Sequence, residues 1–306
     1  MKRLISLLLA GLLLIVFSGC AAPSAPQPAP IQLKDGLGRQ VSLAGPAQKI
    51  ISLAPSNTEI LFAIGASKQL IGRDDFSDFP AEAKSIASVG GVQAYNFESI
   101  AKLQPDLVIA AGINSQEQVK SLENLKIPVY YLANPTNMDG LYANLNTVGL
   151  LSGHVKEAAD LVTSLQKRVQ AVETRVSKAS TTPKVFYELD GTDPSKPWTA
   201  GPGTFVDLLI KKAGGVNVGN ALTSDWAQIS QEALIVANPD IIILGDASYG
   251  LTIDQVKTRP GWDGIQAVKT GKVLLFDDNL VSRPGPRMVD GLESLVKIIH
   301  PELNAQ

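Results

Sequence analysis

The sequence predicts an α/β protein of two similar lobes, each around a mostly parallel sheet, joined by one long rigid α-helix. Three observations predict it. Residues 152–180 carry Leu161, Leu165, Val169, Val172 and Val176 at steps of three and four, which places all five on one helix face. Charged and polar residues such as Lys156, Glu157, Asp160, Lys167, Arg168 and Glu173 fill the other faces, and no Pro or Gly interrupts 154–178. A helix of that length runs roughly 40 Å, enough to cross a small domain. An ordinary amphipathic helix on a single core would explain this stripe alone. The second and third observations are matches on either side of it. Pro55-Ser56-Asn57-Thr58-Glu59-Ile60-Leu61 runs on to Gly72, and Pro202-Gly203-Thr204-Phe205-Val206-Asp207-Leu208 runs on to Gly219, both pairs of end residues lying 147 apart. Asn96-Phe97-Glu98-Ser99-Ile100 leads to Pro105-Asp106-Leu107-Val108-Ile109, and Ser230-Gln231-Glu232-Ala233-Leu234 leads to Pro239-Asp240-Ile241-Ile242-Ile243, at an offset of 134. Each of the latter reads as a capped helix, a Pro-Asp turn and a buried strand. Two βαβ units of one sheet would give one such match; two ordered matches across one helix favour a duplicated lobe.

Length and composition agree. With 306 residues, two domains are the default. A hydrophobic content of 45% against 18% charged residues is globular. The formal net charge is −2 and no basic run follows the N-terminus, so nucleic-acid binding has little support. One cysteine excludes an internal disulfide framework.

That cysteine belongs to the N-terminus. Lys2 and Arg3 precede an apolar run from Leu4 to Phe17, too short for a comfortable membrane span. Phe17-Ser18-Gly19-Cys20 then looks like a bacterial lipobox, with Phe17 where such boxes usually carry Leu. Residues 1–19 are read as a lipoprotein signal peptide and Cys20 as the lipidated residue, so the folded part is expected outside the cytoplasm, anchored to the membrane through lipid. Residues 20–31 form a Pro/Ala-rich tether. An N-terminal lobe over 32–151, the connector over 152–180 and a C-terminal lobe over 181–306 complete the division.

In the first lobe, Asp35-Gly36-Leu37-Gly38-Arg39 reads as a turn before a β edge, and Lys49–Leu53 as a short buried strand. Ser56 or Asn57 is expected to cap the next helix. Arg73–Pro80 is a polar and aromatic loop, Leu107–Ala111 and Val129–Leu132 are further strands, and Thr136-Asn137-Met138-Asp139 reads as a capping box. Gly149 and Gly153 punctuate before the connector. In the second lobe, Val185–Leu189, Ile241–Gly245 and Val273–Phe276 read as strands, Thr192–Gly203 and the segment from Asp225 as loops, and Met288–Ile299 as a final helix stopped by Pro301.

Five stretches carry a resemblance: Asp35-Gly36-Leu37-Gly38-Arg39, Ser52-Leu53-Ala54-Pro55-Ser56-Asn57-Thr58-Glu59, Ser77-Asp78-Phe79-Pro80, Gln104-Pro105-Asp106-Leu107-Val108 and Ser282-Arg283-Pro284-Gly285-Pro286-Arg287. In order and spacing the chain resembles the substrate-binding lipoproteins of bacterial ABC importers for cobalamin, haem and ferric siderophores, over nearly all of residues 32–303. Pro197-Trp198-Thr199-Ala200-Gly201 and Trp226-Ala227-Gln228-Ile229-Ser230-Gln231-Glu232 make it most similar to cobalamin-binding members. The resemblance implies a ligand cleft between the lobes and a corrinoid, cobalamin or cobinamide, as ligand; haem or a ferric siderophore is the alternative.

A flat macrocycle with polar edges takes aromatic faces and a few hydrogen bonds. By resemblance, Phe76, Tyr95, Trp198 and Trp226 fall on cleft aromatics, and Asn279 and Arg283 on the polar edge. A loop Trp is equally often a packing plug, and Arg283 could pair with Asp277 or Asp278 on the surface. Ala111 is a departure, since some cobalamin-binding members carry an aromatic just past that strand. Glu98 and Glu232 sit in the first turn of repeat-related helices, where acidic side chains complement the helix dipole. The resemblance adds a role for both: one acidic residue per lobe pairs with arginines on the two permease subunits. The partners so implied are an ABC permease dimer with its ATPase subunits, to which the protein, itself a monomer, delivers a small molecule.

An enzyme is the rival class. His154 and His300 are the only histidines, at two helix ends, and no two-His metal spacing, no nucleophile elbow and no phosphate loop is found. No catalytic residue, metal or cofactor is expected. A haem ligand would want a Tyr or His on iron, and Tyr95, Tyr187 and Tyr249 are available; an acidic siderophore would want several cleft arginines, with Arg73, Arg283 and Arg287 as candidates.

Overall fold

A computed structural model describes residues 29–305. The described residues open with an antiparallel hairpin, β1 (Ile31–Lys34) and β2 (Gln40–Leu43), closed by a turn in which the buried Asp35 carboxylate accepts the amides of Leu37 and Arg39. The first lobe follows: β3 (Ile50–Ser52), α1 (Pro55–Ala63), β4 (Leu70–Arg73), a short β5–β6 hairpin (Gly90–Gly91, Ala94–Tyr95), α2 (Phe97–Lys102), β7 (Leu107–Ala111), α3 (Gln116–Asn124), β8 (Val129–Leu132) and α4 (Met138–Ser152). Its four-stranded sheet has the order β4-β3-β7-β8 and is parallel throughout.

Next come α5 (Val155–Val176), then β9 (Lys184–Asp190), β10 (Trp198–Ala200), α6 (Phe205–Lys212), β11 (Val216–Asn217), β12 (Trp226–Gln228), α7 (Gln231–Ala237), β13 (Ile241–Leu244), α8 (Ile253–Lys257), α9 (Gln266–Lys269), β14 (Val273–Leu275) and α10 (Met288–Ile299). The second sheet runs β12-β10-β9-β13-β14, with β11 added to the start of β9. Its core is parallel and its β10–β12 edge antiparallel. The two sheets are separate, as the duplicated-lobe reading requires.

The repeat is visible in detail. Asp106 and Asp240 stand at the same point of their lobes, and each carboxylate ties the start of the neighbouring strand. Asp106 accepts the amides of Gln48 and Lys49, and Asp240 that of Lys184. Two residues before each aspartate, Gln104 and Asn238 share a left-handed φ of 48°. Asn96 caps α2 and Ser230 caps α7, as their sequences predict.

The connector differs from its expected bounds. Gly153, left-handed at φ 81°, ends α4, and α5 starts only at Val155. Its 22 residues span about 33 Å, short of the expected length. The buried stripe is Ala158, Val162, Leu165, Val169 and Val172; Leu161 and Val176 lie half-buried at its edges. Gly149 lies inside α4, where a Cβ would meet that of Ala158 at 2.4 Å, so its role is close approach of α4 and α5 rather than punctuation. The helix is no free rod. It packs on α4 and on α10, and one hydrophobic cluster runs from the first lobe through its stripe to Ile299. Arg168 on α5 pairs with Glu293 and Asp290 on α10.

Some cap assignments also change. Ala54 is the N-cap of α1, without a side-chain cap, because Pro55 occupies the first helical position; Ser56 and Asn57 lie inside the helix and are buried. Asn137, rather than a Thr136 capping box, caps α4. Trp198 and Trp226, expected in loops, lie on paired strands, because 198–200 and 226–228 extend the sheet beyond β9.

Candidate functional site

The two sheets aim the C-terminal ends of their strands at a common cleft of about 320 Å³, where an open α/β sheet presents its ligand-binding loops. From the first lobe come Ser56 after β3, Asp74 and Phe76 after β4, Ala111 at the end of β7 and Ile113 beyond it, and Asn134 after β8; Tyr95 adds the edge of a hairpin. The second lobe contributes Ser248 and Tyr249 after β13, and Asp278, Asn279, Ser282 and Arg283 after β14. A strongly exposed aromatic stands in each lobe, Phe76 at 62% and Tyr249 at 88%.

The motif around Ser52–Glu59 has a clear structural reason. The hydroxyl of Thr58 lies 2.8 Å from those of both Ser52 and Ser77. Ser77 donates in turn to the Asp74 carboxylate at 2.6 Å, and Asp74 also accepts the Phe76 amide at 2.7 Å. All four polar side chains are buried. The network fastens the loop that carries Phe76 to the first turn of α1, so the aromatic is displayed from a stiff base. Asn57 donates to the Ile109 carbonyl and joins α1 to β7. Burial pushes the Asp74 carboxyl above its ordinary value, against the bonds from Ser77 and Phe76. Burial does the same at Asp278, which accepts the Tyr187 hydroxyl at 2.7 Å.

The cleft thus gathers four of the residues singled out by sequence: Phe76, Tyr95, Asn279 and Arg283. Tyr95 contributes ring rather than hydroxyl chemistry. Its OH donates to the Leu53 carbonyl at 2.8 Å and accepts from Asn114 at 3.0 Å, and burial, followed by the nearby Asp74 charge, raises its pKa. Trp198 and Trp226 do not line the cleft. They stand half-exposed on the β10–β12 ribbon, where the Trp226 ring packs on Phe205 with centroids 5.3 Å apart. Glu98 and Glu232 are both exposed, in the first turns of α2 and α7. Cys20 lies outside the described residues.

Arg283 is not paired with Asp277 or Asp278. It reaches across to the first lobe, to Asp78 at 2.7 Å and Glu59 at 3.4 Å. Arg287 joins it, donating from Nε to Glu59 at 2.8 Å while its guanidinium lies over the Phe79 ring at 3.9 Å. Glu59 is 2% exposed. The lobes therefore touch through a buried carboxylate on α1 held by two arginines before α10. Nothing in the sequence signalled this bridge except that both partners fall in the quoted stretches. Ser56, Asp74 and Asp278 also went unmarked, because polar residues at strand ends look like ordinary turn residues until the strands are aligned.

The periplasmic binding protein family matches residues 50–280. The chain belongs to that family. An uncharacterized ABC transporter substrate-binding lipoprotein of Bacillus subtilis is 30% identical over 302 residues, covering 94% of each chain. A vitamin B12-binding protein of Pectobacterium atrosepticum is 32% identical over 247 residues, 79% of this chain and 85% of that one. Among solved structures, the periplasmic heme-binding protein of Roseiflexus sp. RS-1 in apo form superposes with a TM-score of 0.76 at 25% identity, over 84% of this chain and 99% of that one. This periplasmic binding protein is accordingly an ABC-transporter substrate-binding protein with two α/β lobes; its family is one of solute binders, not enzymes. His154 stands at the N-cap of α5, and buried His300 ends α10, bonded to Glu302 and to the Gly214 carbonyl. Among the described residues no helix is long and apolar enough to cross a membrane, and no group of three or more His, Cys, Asp or Glu could hold a metal ion.

Proposed function

We propose that the protein captures a corrinoid, cobalamin or cobinamide, in the inter-lobe cleft and delivers it to an ABC permease with its ATPase subunits. The observation that carries this reading is the charge state of the lining. Its one cation among the described residues, Arg283, is committed to Asp78 and Glu59. Arg287 is committed to Glu59, and Arg73 donates to the carbonyls of Ala83, Asp74 and Asp75. An acidic siderophore or the propionates of haem would meet no free cation there. A ring fringed by neutral amides finds aromatic faces at Phe76 and Tyr249 and donors and acceptors at Ser56, Asn134, Ser248 and Asn279. The B12-binding relative supports the same ligand. Trp198 and Trp226 remain candidate contacts for a ligand that extends past the cleft onto the β10–β12 ribbon.

The test is one absorbance titration panel of the purified protein with cyanocobalamin, dicyanocobinamide, haemin and a ferric siderophore. Corrinoid affinity at least tenfold above that for the other two is expected. Binding of haemin alone would favour the second reading, haem, for which Tyr249 is the one exposed cleft tyrosine.

Delivery is assigned to Glu98 and Glu232, one per lobe, facing the two subunits of a twofold partner. Reversing both charges should abolish docking to the reconstituted transporter while ligand affinity stays within twofold. Undiminished docking would remove the assignment. Cys20 is proposed as the lipidated residue that tethers the protein, a monomer, outside the cytoplasm; Cys20→Ala should release it from membranes.

A further inference from the structure

Among the described residues, Arg283 is the one member of the cleft lining that is also bonded to the opposite lobe. Both bonds come from a single nitrogen, Nη1, at 2.7 Å to Asp78 and 3.4 Å to Glu59. The Glu59 contact is the weaker, and Arg287 already donates to both Glu59 oxygens. Asp78 is therefore the counter-ion of Arg283. Burial works against its charge, but the hydrogen bond and charge of Arg283 hold its carboxyl below the ordinary value. Asp78 is not part of the cleft lining, and its side chain is 48% exposed on the far side of the pair. Its loop is stiffly held: Ser77 is bonded to Thr58 and Asp74, and the Phe79 ring lies under Arg287. Asp74 and Asp278 do line the cleft, but their bonds are to Ser77, Phe76 and Tyr187 and not to Arg283. The guanidinium is balanced in charge without being used up. Its Nε and Nη2 have no hydrogen bond among the described residues, and no buried unpartnered polar atom belongs to Arg283, so both keep accessible surface.

We propose that Asp78 is a specificity-determining residue: by offsetting the charge of Arg283 from behind, it makes the arginine a donor for an uncharged carbonyl of the ligand, such as a peripheral amide, and not a receptor for a carboxylate. The inference rests on the reading of the cleft as a corrinoid site. An arginine without a counter-ion pairs strongly, and often through two nitrogens, with a carboxylate. Beside Asp78 an incoming carboxylate meets a like charge, and such juxtaposition rejects the wrong partner. An amide carbonyl meets no such repulsion and accepts from the nitrogens that Nη1 leaves unused.

The experiment titrates cyanocobalamin and its monocarboxylic acids, in which single peripheral amides are hydrolysed, into wild type, Asp78→Asn, Asp78→Glu and the double variant Asp78→Asn/Arg283→Gln. The wild type should prefer cyanocobalamin over at least one acid isomer by tenfold or more. Asp78→Asn, which keeps the shape and an acceptor for Nη1, should bind that isomer at least fivefold more tightly, a gain that cyanocobalamin does not share. The gain should shrink at least threefold between 0.05 and 0.5 M NaCl, as an exposed ion pair does, and should vanish in the double variant. Asp78→Glu, which keeps the charge, should retain the wild-type preference. If Asp78→Asn does not fold, as judged by thermal unfolding, Asp78→Ser takes its place. A wild type that does not distinguish amide from acid, equal changes for both forms in Asp78→Asn, or a gain that survives loss of Arg283 would overturn the role of Asp78 alone. Failure of the wild type to bind any corrinoid would overturn the cleft assignment and this role with it.

Discussion

The two lobes are built on one plan and finished differently. Both place a capped helix, a left-handed residue, a Pro-Asp turn and a central parallel strand in the same order, and in both the aspartate ties the start of the adjoining strand. They diverge where β3 and β9 end. In the first lobe β3 passes almost directly into α1, and the polar network of Ser52, Thr58, Ser77 and Asp74 locks that junction. In the second, β9 is followed by the antiparallel β10 strand before α6, and the Trp198–Trp226 ribbon is added there. The framework half of each repeat answers to backbone geometry, which both lobes share. The loop half answers to the cleft, where each lobe presents different groups.

The comparison can be broken or sharpened at three points. The largest effect is expected where the lobes meet. Glu59→Ala strands Arg287 in a mostly buried site, while Arg283 keeps Asp78, at a cost of about 3 kcal/mol. Urea unfolding would measure it, and a loss below about 1 kcal/mol would mean that α5 alone unites the lobes. Next are the paired aspartates. Asp106→Ala removes an acceptor for two amides and Asp240→Ala one for a single amide, so losses of about 1.5 and about 1 kcal/mol are expected. The reverse order would show that the number of amides held does not set the loss.

The smallest effect concerns the hold of α5 on the second lobe. Hydrogen bonding to Arg168 keeps the Glu293 carboxyl below its ordinary value. Its contribution is therefore complete above the unfolded value and lost as pH falls through the lower folded one. Both side chains are about a third exposed, so solvent limits the contribution to about 0.5 kcal/mol. The Tm gap between wild type and Glu293→Gln, measured at pH 7, should narrow as pH drops below about 4.5; a gap that widens in acid would contradict the pairing. Buried Asp74 and Asp278 act in the opposite sense. Their raised values favour the folded state at low pH, and that share is lost as pH rises through them.

Much of the framework was legible because periodicity and turn chemistry are local. The strands Leu107–Ala111 and Val129–Leu132 and the helix Met288–Ile299 fall where their apolar patterns place them. Leu165, Val169 and Val172 of the α5 stripe are buried as read, but at its start Val162 is buried in place of Leu161, since both are apolar and only packing decides between them. The cleft was legible in part. Phe76 and Arg283 were marked, but the partners of Arg283 lie more than 200 positions away in the chain, beyond any spacing rule.

By itself, the sequence determined two α/β units, the helix between them, the capped turns that make the units alike, and the pair of exposed glutamates that such a repeat produces. Only the tertiary structure decided which strand ends converge, that Glu59 bridges the lobes, and that Asp78 stands as counter-ion to Arg283 at the cleft. The physical reason is range. Helix periods, caps and turns are fixed by neighbours within a few residues, whereas a cleft is made by side chains whose proximity exists only once two separate sheets have been packed.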